Sequence, residues 1–329
     1  MSTWMAISPD ILKLDAAAEV DRITTRIREI VFNQLKRRGA VLGVSGGIDS
    51  SVVAFLCARA LGKERTFIVF MPEKDSSSDS LRLGRQVAAA LGTQSVVEDI
   101  APMLEAARCY ERRDDAIRSV VPEYGPGYKS KIVLPNLVDD DRYAVFSVVV
   151  QSPSGETKQV RLSAKAYLGI LAATNFKQRV RKMLEYHYAD LYQYAVAGTP
   201  NRLEYDQGFF VKNGDGSADF KPIAHLYKSQ VYQLAEYLGV PEEIRRRPPT
   251  TDTYSLEQSQ DEFYFALPLA KMDLCVYGKN QGISPAEMVS ATGLTESQIE
   301  RVYALIDSRR KATQYLHAAP ALIEQVNLD

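Results

Sequence analysis

A stretch rich in glycine and serine, placed between an apolar run and a helical pattern, most constrains how this chain can fold. Residues 39–42 before it are typical of a buried parallel strand, and residues 52–61 after it predict a buried helix that ends at Gly62. A strand that turns through small residues into a helix points several backbone N–H groups at one spot, which favours anion binding. We call this stretch the glycine loop; it reads Gly43-Val44-Ser45-Gly46-Gly47-Ile48-Asp49-Ser50-Ser51.

Two familiar phosphate-binding loops do not fit the glycine loop. A P-loop requires a lysine after its last glycine, and the dinucleotide fingerprint requires separated glycines, whereas Gly46 and Gly47 are adjacent. The pattern Ser-Gly-Gly-x-Asp-Ser instead resembles the pyrophosphate loop of the ATP pyrophosphatase superfamily, whose members cleave ATP between its α and β phosphates. Ser45 and Ser50 would supply hydroxyl donors, and Asp49 an oxygen ligand for Mg²⁺. The alternative is a plain turn with a capping Asp-Ser pair.

The pattern continues beyond the glycine loop. Residues 65–72 predict a second buried strand and residues 94–100 a third. Between them lie a polar segment, residues 73–80, which we call the serine loop, and a helical pattern over residues 81–91. Alternating strands and helices predict an α/β fold with a doubly wound parallel sheet, in which ligands bind outside the carboxyl ends of the strands. Both loops are expected at that edge.

Charge and cysteine content limit which binding partners and which cellular compartment are expected. The 40 basic and 41 acidic side chains leave a net charge of −1, so neither nucleic acid nor a membrane surface is expected as a partner. No apolar run approaches the ~20 residues of a membrane span, and no secretion signal is recognised at the start. Cys57, Cys109 and Cys275 form no metal-binding spacing, which fits a reducing compartment. We therefore expect a cytoplasmic protein.

The alternation of strands and helices stops between residues 121 and 165. Two β-rich runs, residues 143–150 and 159–163, flank a Ser-Gly turn and predict a β-hairpin. We interpret residues 121–165 as an insertion in a single domain over residues 1–329, acting as a structural flap or an oligomer contact. Residues 263–329 are expected to form a helical C-terminal segment.

The second half of the chain contains further polar residues which, together with the glycine loop, indicate a family. A long helix is predicted over residues 164–194, on which Asn175, Gln178 and Arg179 share one face. Together with the glycine loop, the second half resembles the ammonia-dependent NAD synthetases. The other features that carry the resemblance are Gly198-Thr199, Glu204, the run Gly208-Phe209-Phe210-Val211-Lys212-Asn213-Gly214-Asp215-Gly216, Asp219, Lys228 and Pro249-Thr250-Thr251-Asp252.

The resemblance implies a Rossmann-like fold of the adenine nucleotide alpha hydrolase type and a ligase reaction. Members join ammonia to the nicotinate carboxyl of deamido-NAD through an adenylated intermediate, and ATP is cleaved to AMP and pyrophosphate. By resemblance, Asp49 and Glu204 hold Mg²⁺, and Lys228 contacts ATP phosphates. The residues implied at the ATP site are Gly43, Val44, Ser45, Gly46, Gly47, Ile48, Asp49, Ser50, Thr199, Lys228 and Thr250.

The same resemblance assigns residues to the second substrate and to ammonia. Asp215 matches the acidic residue near the ammonia entry and is expected to accept a proton from ammonium, which makes it catalytic together with Asp49 and Lys228. The family is a homodimer, and residues 164–196 are the expected interface. The residues implied to hold deamido-NAD are Arg179, Tyr186, Lys212, Asp219 and Lys311.

The chain departs from the family pattern at two positions. Phe70 stands where the family has an arginine beside the adenine, so stacking on Phe70 or contacts from the serine loop are expected instead. Arg310-Lys311 stands where the family has a His-Lys pair. In addition, 329 residues leave no room for the amidase domain of glutamine-using relatives, so ammonia must come from solution or a partner.

Two other classes of function are weighed against this one. Another ATP pyrophosphatase-type ligase, such as GMP synthetase or a tRNA-modifying enzyme, would share the glycine loop. A thiolating tRNA enzyme would require reactive cysteines and a basic face, which this chain lacks. A non-catalytic ATP-binding protein would be expected to lose Asp49 or Glu204, and both are present.

Overall fold

The computed structural model describes residues 7–134, 146–250, 253–256, 258 and 267–327. The strands are β1 (Ala40–Gly43), β2 (Thr66–Phe70), β3 (Gln94–Val97), β4 (Lys129–Val133), β5 (Ser147–Gln151), β6 (Thr157–Arg161) and β7 (Ala195–Val196). The helices are α1 (Ala16–Arg28), α2 (Ile48–Leu61), α3 (Ser78–Leu91), α4 (Ala101–Ala106), α5 (Cys109–Arg118), α6 (Ala164–Tyr192), α7 (Arg202–Gln207), α8 (Lys228–Tyr237), α9 (Glu242–Arg246), α10 (Leu269–Asn280), α11 (Pro285–Thr292) and α12 (Glu296–His317). None of these helices is long and apolar enough to cross a bilayer.

The central sheet is parallel and has the strand order β3-β2-β1-β7. Its two inner strands are buried on both faces because their side chains alternate between two apolar cores. Leu42 and Ile68 enter the core that contains α1, α2 and α8, whereas Val41 and Val69 enter the core against α4 and α6. The doubly wound α/β fold predicted from the sequence is confirmed.

A second, antiparallel sheet lies in the region predicted to be an insertion. β5 and β6 form the predicted hairpin, and β4, which was not predicted, pairs with the other side of β5. Residues 143–145 of the first predicted β run lie outside the described residues. The small sheet, our name for β4, β5 and β6, packs Ile132 and Val148 against Ile170 of α6 in a core of its own.

The two ends of the chain are helical, with breaks that periodicity alone did not locate. The pattern over residues 9–38 predicts one helix, but a 3₁₀ turn at Pro9–Leu12 precedes α1, which begins after the N-cap Asp15. In the C-terminal segment Gly282 and Gly293 lie between helices as predicted, whereas Gly278 lies inside α10. A Cβ at Gly278 would approach the Tyr303 hydroxyl to 2.5 Å, so this glycine permits close packing of α12 on α10.

Candidate active site

A cleft of about 670 Å³ opens at the carboxyl ends of β1 and β2, where both predicted loops lie. The glycine loop and the serine loop line one side of it, and α6 lines another with Thr174, Gln178 and Lys182. Further walls come from the segment after β7, from the residues around Asp215 and from Arg247 to Thr250. The cleft therefore gathers residues from Gly43 to Leu316, which lie far apart in the sequence, as is typical of a site at the carboxyl edge of a doubly wound sheet.

The glycine loop has the backbone geometry of an anion-binding turn. Gly46 has φ +76°, and a Cβ there would lie 2.6 Å from the Ser80 carbonyl oxygen, so only glycine fits without displacement. The Ser50 hydroxyl donates to the Gly47 carbonyl at 3.1 Å, and the Ser45 N–H donates to the Ser50 Oγ at 3.3 Å. These bonds hold the loop at the start of α2, whose first residues Ile48 and Asp49 line the cleft.

Asp49, Glu204 and Lys228 form a charged cluster on the floor of the cleft. The Lys228 ammonium donates to one Asp49 oxygen, and the Asn201 amide donates to the other at 3.1 Å. Asn201 also forms a capping box with Glu204, whose carboxylate accepts from the Asn201 N–H at 3.1 Å. The structure thus brings together three residues predicted for phosphate and metal binding.

The pKa values in this cluster follow from burial and from like charge. Burial, together with the charge of Asp49, raises the pKa of Glu204 to about 8. Burial alone would lower the pKa of Lys228, but the charges of Asp49 and Glu204 outweigh it and raise that pKa. Two neighbouring carboxylates therefore share one ammonium, an arrangement that favours a further cation beside them.

Sequence reasoning did not find the residue that supports Lys228. Asp273 on α10 is fully buried, and its carboxylate accepts from the Lys228 N–H at 3.1 Å and from the Ser229 N–H at 2.7 Å. It therefore caps α8 from a separate helix and fixes the backbone that carries Lys228. Burial raises the pKa of Asp273 to about 6 although both N–H groups oppose the change. The only local signal was an aspartate within an apolar helical run.

Asp215 lies on the same cleft in a tight turn. Its carboxylate accepts from the Val211 N–H at 2.7 Å, and burial raises its pKa. A Cβ at Gly216 would come within 2.2 Å of the Phe210 ring, so the glycine beside Asp215 lets the turn close. Lys182 and Glu185, a buried ion pair on α6, line the cleft next to these residues and were not predicted.

Arg179 and Lys212 line the cleft beyond Asp215. The Arg179 guanidinium donates to the Lys212 carbonyl oxygen at 3.3 Å. The Lys212 ammonium donates to the carbonyl oxygens of Tyr315 and Ala318 at 2.8 and 3.0 Å. These contacts join α6 to the end of α12 across one end of the cleft.

Four predicted residues lie outside the cleft lining, and one of them is Gly46, which is buried within the glycine loop. The Tyr186 hydroxyl donates to Asp219 at 3.3 Å, and Asp219 also accepts from the Val196 N–H at 2.7 Å. Lys311 is exposed on α12, and its neighbour Arg310 forms a two-pronged pair with Asp206. Tyr186 and Asp219 thus bind each other, and Lys311 faces solvent.

The remaining predicted residues line the cleft, and the structure favours one of the two adenine contacts expected in place of the family's arginine. Thr199 and Thr250 are half-buried cleft residues, whereas Thr251 and Asp252 lie outside the described residues. Phe70 is only 2 % exposed, because its ring packs against Gly84 of α3. Contacts from Ser76, Ser77 and Ser80 of the serine loop are therefore better placed toward a ligand than stacking on Phe70.

A buried ion cluster supports the serine loop from behind. Lys177 on α6 is fully buried, and its ammonium donates to Glu73 at 2.8 Å and to Asp75 at 2.6 Å. The same ammonium donates to the Thr253 carbonyl oxygen at 2.7 Å. Arg113 of α5 completes the cluster through Asp75. Periodicity does not reveal such a cluster, because its members are about 100 positions apart.

The three cysteines are buried and play no part in the cleft. Burial raises the pKa of Cys57 and of Cys275 to about 12 and also raises that of Cys109. A thiol in this state is a poor nucleophile. Cys57 lies in the buried helix predicted over residues 52–61.

Comparison with known proteins connects this cleft to a family. A family model described as NAD synthase matches residues 19–121 and 147–315, which leaves β4 unmatched. The NH(3)-dependent NAD(+) synthetase of Mesorhizobium japonicum is 60% identical over 319 residues, 97% of this chain and 100% of that protein. The protein of the same name from Rhizobium rhizogenes is 58% identical over 326 residues, 99% of this chain and 98% of that protein.

Solved structures share the fold at lower identity. The NH3-dependent NAD synthetase from Campylobacter jejuni, in complex with the nitrate ion, has a TM-score of 0.61 and 24% identity over 94% of this chain and 100% of that one. The NMN synthetase from Francisella tularensis has a TM-score of 0.64 and 20% identity over 94% of this chain and 99% of that one. At these identities the comparison concerns the fold alone.

Proposed function

The chain belongs to the NAD synthase family, and we propose that it amidates deamido-NAD with ammonia and ATP to give NAD, AMP and pyrophosphate. The observation that carries the proposal is one cleft lined by the glycine loop, by the cluster of Asp49, Lys228 and Glu204, and by Asp215. A GMP synthetase or a non-catalytic ATP-binding protein is not favoured, since the full-length relatives with high identity are named NAD synthetases.

The first step is adenylation of the nicotinate carboxylate. Its oxygen attacks the α phosphorus of ATP, the bond to the bridging oxygen breaks, and negative charge develops on the leaving pyrophosphate. In this proposal the backbone N–H groups of Gly46 and Gly47, the hydroxyls of Ser45 and Ser50, and the Lys228 ammonium stabilise that charge. The support is that Ser45, Gly47, Ser50 and Lys228 line the cleft. Thr199 and Thr250 complete the ATP side of the cleft in this proposal.

The donor set fits Mg²⁺. Among the described residues no group of three or more His, Cys, Asp or Glu side chains is arranged for a metal. Asp49 and Glu204 nevertheless provide two adjacent carboxylates, which is the usual protein contribution to a magnesium ion that also binds substrate phosphates. Burial and the charge of Asp49 both oppose ionisation of Glu204, and a bound cation would favour it. When bound, Mg²⁺ neutralises phosphate charge.

The second step is attack of ammonia on the adenylate. Ammonium has no lone pair, so a base must first remove a proton. Asp215 suits this role because its half-buried carboxylate has a raised pKa and therefore accepts a proton more readily than an exposed aspartate does. AMP then leaves as the amide forms. We propose ammonia, supplied from solution or by a partner, as the nitrogen source.

We propose that deamido-NAD binds at a homodimer interface formed by residues 164–196. The support is three exposed apolar side chains on α6, where Leu168, Met183 and Leu191 are 60%, 56% and 61% exposed. Tyr186, which is on the same helix, and Asp219 would then meet the dinucleotide beside a second subunit. The remaining deamido-NAD residues in this proposal are Arg179, Lys212 and Lys311. The reduced thiols favour a cytoplasmic location.

The direct test is NAD formation from deamido-NAD, ATP, Mg²⁺ and ammonium chloride, with glutamine as a parallel nitrogen source and pyrophosphate counted. We expect NAD with ammonia but not with glutamine, and one pyrophosphate for each NAD. Pyrophosphate release with a different carboxylate, and no NAD, would discard the substrate and retain the ATP site. Light scattering with and without deamido-NAD tests the dimer.

A further inference from the structure

The outer edge of the small sheet holds a segment that follows the predicted ATP-site residue Thr250. We call residues 253–256 and 258 the outer segment. Ser130 of β4 turns its backbone away from β5: its N–H donates to the Ser255 Oγ at 2.9 Å, and its carbonyl accepts from the Leu256 N–H at 3.2 Å. The Gln258 amide donates to the Ile132 carbonyl on the same edge. The edge strand is thus covered rather than exposed.

Apolar packing strengthens this attachment. Tyr254 is only 6% exposed and packs in the core formed by β4, β5 and α6, where Ile132, Val150 and Ile170 are neighbours. A second attachment lies on the opposite side, where the buried Lys177 ammonium donates to the Thr253 carbonyl at 2.7 Å. The outer segment is therefore fixed by the small sheet on one side and by α6 on the other.

The attached residues face the cleft. Thr253 and Tyr254 line it together with Thr250, and the small sheet itself contributes Phe146. The Phe146 ring stacks on Tyr167 of α6, with centroids 4.2 Å apart and planes 14° apart. The region predicted to be a flap or an oligomer contact thus forms part of the cleft wall.

We propose that the small sheet is a positioning element for ATP, acting through the outer segment. This inference rests on the proposed function only in naming ATP as the nucleotide. Of the three strands only β4, which binds the outer segment, lies in the stretch that the NAD synthase family model leaves unmatched; β5 and β6 lie within the matched residues. The small sheet fixes the cleft wall around Thr250 before ATP binds, so that less conformational entropy is lost on binding.

The test removes the side-chain bonds to β4 and leaves the cleft lining unchanged. In the double variant Ser255→Ala/Gln258→Ala both hydrogen bonds to β4 are lost. The matched control is Ser154→Ala, an exposed serine at the β5–β6 turn of the same sheet. Isothermal titration calorimetry measures the Kd of ATP with Mg²⁺ and, separately, the Kd of deamido-NAD. Steady-state kinetics gives KM for ATP and kcat, and thermal unfolding gives Tm.

We expect the Kd and KM for ATP to rise roughly tenfold in the double variant, because each lost hydrogen bond is worth a few-fold. The Kd of deamido-NAD, kcat and Tm stay close to wild type, and Ser154→Ala changes nothing. An ATP Kd within twofold of wild type, or equal losses for both substrates, overturns the proposal. If the Tm of the double variant falls markedly, the single variant Ser255→Ala is measured instead. We expect its Kd for ATP to rise about threefold, and a Kd within twofold of wild type overturns the proposal.

The two proposals fail separately. Calorimetry of ATP needs no turnover, so a wild-type protein that binds ATP but makes no NAD would overturn the proposed substrate and leave the positioning role measurable. Normal NAD formation with an unchanged ATP Kd in the double variant would overturn the positioning role alone.

Discussion

The two sheets of this protein serve the cleft in different ways. The inner strands of the parallel sheet are buried on both faces, with Val41, Leu42 and Ile68 fully excluded from solvent. The small sheet is buried on one face only, and most of β6 is exposed. The first sheet ends in the glycine loop, whose backbone is fixed by packing. In the second, β4 at the sheet edge binds the outer segment of the cleft wall through hydrogen bonds.

This difference separates two tasks. Charge that develops during reaction needs fixed dipoles, and a sheet enclosed between two helical layers supplies them. Substrate binding requires less rigidity, so a cleft wall that is attached to the edge of a sheet by a few hydrogen bonds is sufficient. Changes on the parallel-sheet side should therefore lower kcat or global stability, whereas changes on the small-sheet side should raise KM.

The largest expected effect is at the floor of the cleft. In Lys228→Met the carboxylates of Asp49 and Glu204 lose the ammonium they share, and the pyrophosphate loses a countercharge. We expect kcat to fall about 10³-fold. Stopped assays of pyrophosphate release measure it. A loss below tenfold would show that Lys228 only balances charge in the resting cleft.

The buried cap of α8 should make stability depend on pH. Asp273 has a pKa of about 6 in the folded chain against an ordinary 3.8, so the folded state binds the proton more tightly. Stability should therefore fall as pH rises from about 4 to about 6, by roughly 3 kcal/mol relative to Asp273→Asn, and change no further above that range.

Urea unfolding at several pH values measures this difference. Asp307→Asn, an exposed aspartate on α12, is the control and should run parallel to wild type. Parallel curves for Asp273→Asn as well would show that Asp273 is ionised at its ordinary pKa, and that the buried cap does not oppose ionisation.

Asp215→Asn should separate the two chemical steps. We expect NAD formation to slow about 10²-fold because the proton acceptor is lost, while ATP–pyrophosphate exchange in the presence of deamido-NAD continues. Rapid quench with labelled ATP follows both. Loss of exchange as well would assign Asp215 to substrate binding or to folding of its turn.

The smallest expected effect is on the small-sheet side. In Phe146→Ala the stack on Tyr167 is lost, and we expect the KM for ATP to rise about threefold with kcat within twofold of wild type. Val149→Ala on β5, which does not line the cleft, is the matched control and should leave both constants unchanged. A large fall in kcat would contradict the division between the sheets.

Local sequence was enough to predict the parts of the site that are local in structure. The glycine loop follows from an apolar run, adjacent glycines and a helical pattern, which lie within about 20 residues. The long helix α6 also agrees with the pattern that predicted it. These elements are set by periodicity and turn chemistry, both of which can be read along the chain.

Other parts depend on pairings that no local pattern encodes. Asp273 caps α8 from 45 positions away, and Lys177 meets Glu73 across 104 positions. β4 reads as polar at Lys129-Ser130-Lys131 because its edge bonds the outer segment through backbone groups rather than through apolar side chains. The N-terminal helix begins later than predicted because Asp15 accepts from the Ala18 N–H and caps it there.

The buried thiols have a practical consequence for spectroscopy. Since Cys57, Cys109 and Cys275 are buried and their raised pKa values disfavour the thiolate, a maleimide or spin label should react slowly with the native chain. A single cysteine introduced at an exposed position such as Ser154 would therefore carry the label without prior removal of the native cysteines. A second cysteine introduced at an exposed position on the parallel-sheet side would then make the distance between the two sheets measurable.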